Sequence, residues 1–369
     1  MSTDAGGFVV HASVAGALAY AEGMVDLLPL SARVDAPATL PGLPEAEGLR
    51  WRSATRDDAA ALAELHRAMD PLDHPHFVVD EEEIAEDFGE PRFDPVRDSL
   101  LAEDGRGVAA YGIALPLESR ESIARVLLLG GVRPDRRGSG IGRGIAAWQE
   151  ARGIQQLASA EEALPGWLLV YADTKHGAGA IRLFERRGFA RDRYFLELRR
   201  DLAERIPEVT PAEGVRIVPW HGDWSASALE AKNASFRDHW GSQPESREHW
   251  EHHERLAIFR PDLSYLALAT GEDGTERVVG LVRTDVNERD WAAQGYPHAY
   301  VGLVGVVREW RGRRIAQALL TRVLAASRDL GYERVTLDVD SDNPSGALGL
   351  YSSMGFRAAT RSVALLRAF

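Results

Sequence analysis

Cysteine is absent from this chain, and three chemistries go with it: structural disulfides, thiolate catalysis and cysteine-ligated zinc. A reducing compartment suits such a chain. Lysine is almost missing as well, since only Lys175 and Lys232 stand among the 43 basic residues. So heavy a preference for arginine is that of proteins from GC-rich genomes, and a cytoplasmic bacterial protein is expected. Also lacking is any apolar run long enough to span a bilayer. Near the first residue Asp4 occupies the place of a basic signal region, and His11, Glu22 and Asp26 break the apolar stretch from Phe8 to Leu30; neither a secretory signal nor a membrane partner is expected. Positive charge is in deficit, with a formal net charge of -13 and no basic stripe interleaved with aromatics. A phosphate backbone would be repelled, so no nucleic acid partner is expected. The same acidity suits a cationic small molecule such as an amine.

What the chain does have is one pattern written twice. Gly131-Val132 followed by Arg137-Gly138-Ser139-Gly140-Ile141-Gly142 is answered 174 residues later by Gly305-Val306 followed by Arg311-Gly312-Arg313-Arg314-Ile315-Ala316. Leu183-Phe184 with Gly188-Phe189 answers Leu350-Tyr351 with Gly355-Phe356, and Leu49 to Arg52 answers Val215 to Val218. A repeat of this size means two similar domains, each of ordinary length at about 155 residues. At 369 residues and 45% hydrophobic, the chain can fill two cores. The expected division is an extension and Pro-, Ala- and Gly-rich linker over 1–47, one domain over 48–207 and another over 208–369, split near Pro207 and Pro211.

Patterning predicts the same order in each unit: a strand, one or two helices, antiparallel strands, the glycine turn and its helix, a strand, a second helix and a closing strand pair. In the second unit these fall near 215–219, 223–238, 246–256, 264–270, 277–286, 299–308, 314–330, 333–339, 344–354 and 356–367. Each glycine turn thus follows a buried strand, Val126 to Val132 or Val301 to Val307, and opens a helix. Successive N–H groups there aim at one point and the helix dipole favours negative charge, which suits a pyrophosphate. A tight strand-to-helix connection would look the same in a single copy; the repetition and matched endings favour the binding turn.

These residues resemble motif A and the helix after it in the GNAT superfamily of acetyl-CoA-dependent N-acetyltransferases, across both units. The resemblance implies an α/β (α+β) fold of two tandem domains. Each would be a mixed, largely antiparallel twisted sheet with flanking helices and splayed fourth and fifth strands. It also implies acetyl-CoA as acyl donor, no metal, and a small-molecule amine acceptor, and it leaves room for a homodimer. Carried over by position, Val306 and Val307 meet the pantetheine arm, and Arg311, Gly312, Arg313, Arg314, Ile315 and Ala316 hold the pyrophosphate. The first-unit counterparts are Val132, Arg133, Arg137, Gly138, Ser139, Gly140, Ile141 and Gly142. The stretch from Asp342 and Asn343 to Tyr351 is similar to the family's Asn-x-x-Ala-x-x-x-Tyr, which implies cofactor contact for Asn343 and makes Tyr351 the general acid toward the CoA thiolate. A phenol is protonated at neutral pH and can donate as charge develops on sulfur; the alternative for Tyr351 is a core aromatic beside Leu348, Leu350 and Phe356.

Phe184 stands where Tyr351 does and cannot donate a proton, so the second domain is expected to catalyse and the first to be structural or to bind CoA without turnover. Arg314 replaces Gly140; ordinary backbone angles there would let the arginine add a cation near the phosphates. The tandem arrangement is also similar to that of the mycothiol synthase family, although Tyr300 replaces the fourth-strand Glu expected there. A non-catalytic acyl-CoA-binding or sensing protein is the alternative of another class. Asp285, His298 and His239 are candidates for a base, although each reads better as a solvated or hydrogen-bonded residue. Asn233 to Gly241 is either an acceptor-cleft wall or an amphipathic helix ending at Gly241. His249, His252 and His253 read as a solvated helix rather than a metal site.

Overall fold

The computed structural model describes residues 27–369 apart from 45–46, 118, 238, 272–273 and 343–345. The described chain forms two compact units, residues 27–194 with Ser362–Phe369 and Phe195–Arg361. In the first unit the strand order is β1 (Arg50–Arg52), β2 (Ser99–Asp104), β3 (Gly107–Pro116), β4 (Ala124–Val132), β5 (Gly166–Asp173) and β12 (Arg357–Ala368). Its helices are α1 (Leu30–Arg33), α2 (Ala59–Asp73), α3 (Glu81–Asp87), α4 (Pro95–Asp98), α5 (Ile141–Ala158) and α6 (Ala178–Glu185). In the second unit the order is β6 (Ala190–Asp201), β11 (Arg334–Asp340), β10 (His298–Val306), β9 (Glu276–Asp285), β8 (Tyr265–Thr270) and β7 (Val215–Pro219). Its helices are α7 (Ser225–Phe236), α8 (Arg247–His253), α9 (Asp290–Gln294), α10 (Ile315–Asp329) and α11 (Ala347–Ser353). Among the described residues no helix is long and apolar enough to cross a membrane.

Each sheet is antiparallel except at one parallel pair, β4 with β5 and β10 with β11. Both parallel pairs come apart early. Only Ala124–Leu127 pairs with Gly166–Leu169, although β4 runs on to Val132. Only His298–Tyr300 pairs with Arg334–Thr336, although β10 runs on to Val306. The splay expected of the fold is therefore present in both units.

Instead of a closing strand pair, each half ends in one strand of 12 residues. β6 leaves the first half and pairs Phe195–Asp201 with β11, inside the second unit. β12 leaves the second half and pairs Ser362–Ala368 with β5, inside the first. Local pattern in either strand does not say which sheet it will extend.

The strand after the parting and the turn's helix are held by close packing. A Cβ on Gly112 would lie 2.5 Å from Ile145 Cγ2, and one on Gly280 would lie 2.9 Å from Ile315 Cγ2; only glycine lets α5 and α10 approach β3 and β9 this closely. One face of the second sheet buries Leu198, Ala299, Val335 and Leu337 against Leu319, Leu320, Val323 and Leu324 of α10. Each such leucine or valine contributes about 1.5–3 kcal/mol through removal from water. The segment before the first repeat also packs. Leu30 is fully buried, Gln155 donates to Pro37 O at 2.8 Å and Trp51 Nε1 donates to Pro44 O at 3.1 Å. The helical periodicity of Val14 to Leu28 lies almost wholly outside the described residues.

Arg200 secures the end of α11. Fully buried, it donates to Met354 O at 2.8 Å and Arg205 O at 2.7 Å, and pairs with Glu204 at 3.2 Å. Arg200→Met should lower unfolding free energy by about 2–4 kcal/mol, because the carbonyls it serves stay buried without donors. The urea midpoint reads this directly, and an unchanged midpoint would show that water replaces the guanidinium.

Candidate active site

The site of the second unit begins where β10 and β11 part. Val307 N–H donates to Val279 O at 3.0 Å, and antiparallel pairing alternates, so residues 303 and 305 also face β9. The backbone groups of Val304 and Val306 therefore point to the edge that β11 has left. Val307 is committed differently from Val306, because its carbonyl also accepts from Trp310 N–H at 2.8 Å. The first unit repeats this, with Arg133 N–H on Ala109 O at 2.8 Å and Val132 on the open side. Arg133 is buried by its side chain too, which pairs with Asp104 at 2.6 Å and Asp135 at 2.7 Å. Hydrogen bonding by Arg133, joined by Arg136, holds Asp104 well below the usual carboxylate range.

Beyond the strand the chain turns into the helix through left-handed residues: Gly312 at φ +76° and Arg314 at +57° in the second unit, Gly138 at +83° and Gly140 at +93° in the first. Arg314 is the sole non-glycine with positive φ among the described residues. The ordinary angles expected for it are not found. Converging N–H groups require a left-handed residue at this point, and an arginine there carries strain of about 1–2 kcal/mol. Neither helix start has a side-chain cap, so the first-turn N–H groups remain directed at the turn. Ile141 and Ile315 anchor the turns in the cores. A Cβ on Gly142 would meet Val132 only at ordinary distance, 3.7 Å, which explains why Ala316 serves equally there.

The motif arginines fold back to brace the turns. Arg311 donates to Val306 O at 3.1 Å and to Ser235 O at 2.8 Å. Arg137 donates to Val132 O at 2.9 Å and grips Asp73 with both Nη atoms. Arg313 lies over the Trp310 ring at 4.6 Å, and Ser139 Oγ donates to Arg136 O at 2.8 Å. Asn343 lies outside the described residues.

Tyr351 is buried on α11 in the same apolar cluster as Val304, Val306 and Ile315, with its ring edge-on to Phe356 at 5.8 Å. Burial pushes its phenol above the ordinary value, so it keeps its proton at neutral pH. Phe184 is buried likewise against Phe189 at 5.2 Å.

On the sheet face opposite α10, strand alternation collects polar groups that sequence reasoning missed. Tyr300 from β10 donates its hydroxyl to Asp338 Oδ2 on β11 at 3.1 Å, and Glu197 of β6 stands directly across from Asp338. Burial, then repulsion from Glu197, pushes the Asp338 carboxyl up to about 8, against the opposing Tyr300 hydrogen bond. The alternation Thr336, Asp338, Asp340 was a readable hint; the neighbours were not.

The base candidates sit in built surroundings rather than in solvent. Asp285 is buried and takes His253 Nε2 at 3.0 Å; His298 is buried near Tyr296 O at 3.5 Å; His239 lies tilted against Phe236 with ring centroids 4.5 Å apart. The solvated helix expected around His249 and His253 is corrected, since both are buried. Glu245 lies 3.5 Å from His249 and 3.0 Å from Lys232, so the inward helix face meets an ionic cluster. Of the proposed cleft wall, the helix stops at Phe236 rather than Gly241. Phe236 and Trp240 pack inward, and Trp240 lies 6.4 Å from Phe195 of β6; Asp238 lies outside the described residues. In the first unit, His66, Asp70 and His74 hold ligand-type atoms within 4.8 Å of one another. Both His66 nitrogens already bond, to Asp70 at 2.9 Å and Tyr111 at 2.8 Å.

The sequence model described as "Acetyltransferase (GNAT) family" matches residues 226–356. A mycothiol acetyltransferase of Saccharomonospora viridis is 31% identical over 304 residues, covering 76% of this chain and 96% of that protein. A GCN5-related N-acetyltransferase from Sphaerobacter thermophilus superposes with a TM-score of 0.66 at 26% identity, covering 89% of this chain and 97% of that one. A tandem GNAT protein from the clavulanic acid biosynthesis pathway shares the fold at a TM-score of 0.59 and 17% identity, covering 87% and 98%. This chain belongs to the GNAT acetyltransferases, with the tandem architecture of the mycothiol acetyltransferases. It is an acyltransferase, and its family uses acetyl-CoA.

The strain at Arg314 is measurable. Arg314→Gly should be more stable than Arg314→Val by about 2 kcal/mol, since a β-branched residue tolerates the left-handed region worst. Equal thermal stability of the two variants would mean the turn is not left-handed in solution.

Proposed function

We propose that the second unit transfers an acetyl group from acetyl-CoA to the primary amine of a small molecule by direct attack. The observation that carries this is the parted edge of β10, which leads onto a turn of converging N–H groups. The backbone groups of Val304 and the N–H of Val306 suit the amides of a pantetheine arm, and the turn from Gly312 to Ala316 suits its pyrophosphate. The acceptor nitrogen attacks the thioester carbon, the C–S bond breaks, and Tyr351 gives its proton to the departing thiolate. Tyr351 recovers a proton from the nitrogen that has become the amide. At neutral pH the phenol carries its proton before each turnover and can donate it as charge develops on sulfur.

The first unit is proposed to bind CoA without turnover or to serve as a structural partner. Phe184 in place of the phenol supports this. Similarity to mycothiol acetyltransferases over most of their length favours a second, narrower reading, in which the acceptor is the amine that those enzymes acetylate.

Tyr351→Phe should lower kcat by about 10²–10⁴-fold, the usual worth of a positioned proton donor, while calorimetric CoA affinity stays the same. The assay is thiol release from acetyl-CoA over an amine panel. Turnover that survives Tyr351→Phe but disappears when the 137–142 turn is disrupted would move catalysis to the first unit.

A further inference from the structure

The acceptor amine is an ammonium at neutral pH and must lose a proton before it can attack, yet β10 offers Tyr300 where a carboxylate would be sought. We propose that Asp338 receives this proton and that Tyr300 is the positioning residue that holds its carboxyl at the mouth of the parted strands. The inference rests on the acetyl-transfer reading and adds to it the group that readies the acceptor.

Position argues first. Tyr300 pairs with Thr336 at the last rung before β10 and β11 separate, and Asp338 lies two residues further along β11. Side chains two apart share a sheet face, so Asp338 stands just past the last rung, on the face opposite α10. The groups about it are defined on every strand. Tyr300 and His298 face it from β10, Glu197 and Arg199 from β6, and Arg334 and the buried Asp340 lie on its own strand. Arg199 donates to Glu197 at 2.5 Å and Thr360 donates to Glu197 at 3.1 Å. Arg334 lies over the Tyr296 ring at 4.0 Å. The cations are thus directed at Glu197 and at an aromatic face, whereas Asp338 has a neutral hydroxyl. A carboxyl beside another carboxylate and served by a phenol suits an incoming cation and can accept its proton.

The chemistry balances. The Asp338 carboxylate takes one proton from R–NH3+, leaving R–NH2 and a carboxylic acid; C–N formation and C–S cleavage follow, with Tyr351 protonating the thiolate; Asp338 then returns its proton to solvent. A carboxyl with the elevated proton affinity described above is a far better acceptor at neutral pH than an ordinary one. Asp285 is the rival. It lies on β9, across β10 from the opening, with one oxygen already bound to His253. In the first unit the corresponding rung pairs Leu127 with Leu169, and two residues further along β5 stands Tyr171, so neither a phenol on β4 nor a carboxylate on β5 is offered there.

The test is thiol release from acetyl-CoA over the amine panel from about pH 6 to about pH 10, where an acceptor of this kind should titrate. It is run on full-length wild type, Asp338→Asn and Tyr300→Phe, with CoA binding measured in parallel. In wild type kcat/KM should rise with pH through the Asp338 titration. Asp338→Asn should fall by about 10²–10⁴-fold and lose that rise, with CoA affinity unchanged. Tyr300→Phe should move the rise to higher pH, because the phenol favours the charged carboxylate. A stability readout guards against misfolding. Because the folded carboxyl binds its proton more tightly than the unfolded one, wild-type melting temperature should fall as pH rises toward the folded value, and Asp338→Asn should flatten this dependence. An unchanged pH profile in Asp338→Asn, or a rise lost in Asp285→Asn instead, overturns this proposal alone. Wild type that binds CoA but releases no thiol with any amine overturns the transfer reading, and this proposal with it.

Discussion

Everything at the site depends on two parallel strands that stop bonding to each other. A buried strand edge must satisfy its N–H and C=O groups somewhere, and β10 runs six residues past its last rung with β11. Val304 and the N–H of Val306 are directed at a gap rather than a neighbouring strand, while the Val306 carbonyl accepts from Arg311. A ligand with amides along an extended arm meets that need, as another strand would. The turn at the end of the same strand adds converging N–H groups, so one stretch of chain provides both a rung-like edge and a point on which donors converge. The register shift between Val301 and Leu303 belongs to this arrangement. It places Gly302, whose Cβ would come within 3.1 Å of Asp285, beside the opening, and it re-aims the residues beyond it.

The two units show what duplication permits. Both keep the parted strands, the left-handed turn and the arginine that braces it. They differ in their ionisable groups. The second unit has a buried phenol and a carboxyl cluster around Asp338; the first has Phe184 and a leucine rung. Conversely the first unit keeps the relaxed turn, with glycine at both left-handed positions, while the second tolerates Arg314 there. Such strain persists only where surrounding structure enforces it, and Ile315 locked into the core just after the turn does so. The exchanged closing strands tie the arrangement together: each unit is completed by a strand from the other half of the chain, so neither half encodes a finished sheet.

Much of the fold was legible because it is local. Hydrophobic period, turn glycines and the internal repeat located β7 at 215–219 without error, and β8 to β12 and α10 within a few residues. The repeat also made the binding turns visible, since one glycine turn by itself is weak evidence and two with matched endings are not. His249 and His253 were misread because charged neighbours on one helix face were taken to describe the whole helix. Only three-dimensional packing shows that the histidine face turns inward toward Glu245 and Asp285.

By itself the sequence determined two similar units, the order of their elements, the position of the glycine turns, and the fact that one copy has a phenol where the other has a phenyl. Those are properties of residues close together along the chain, where spacing and side-chain type carry the physics. Tertiary structure decided which sheet each closing strand joins, that Arg314 must be left-handed, and that Asp338 stands between Tyr300 and Glu197. The reason is register. Asp338, Tyr300 and Glu197 come from three strands far apart in sequence, and a shift of one residue in either pairing would turn the carboxyl to the opposite face.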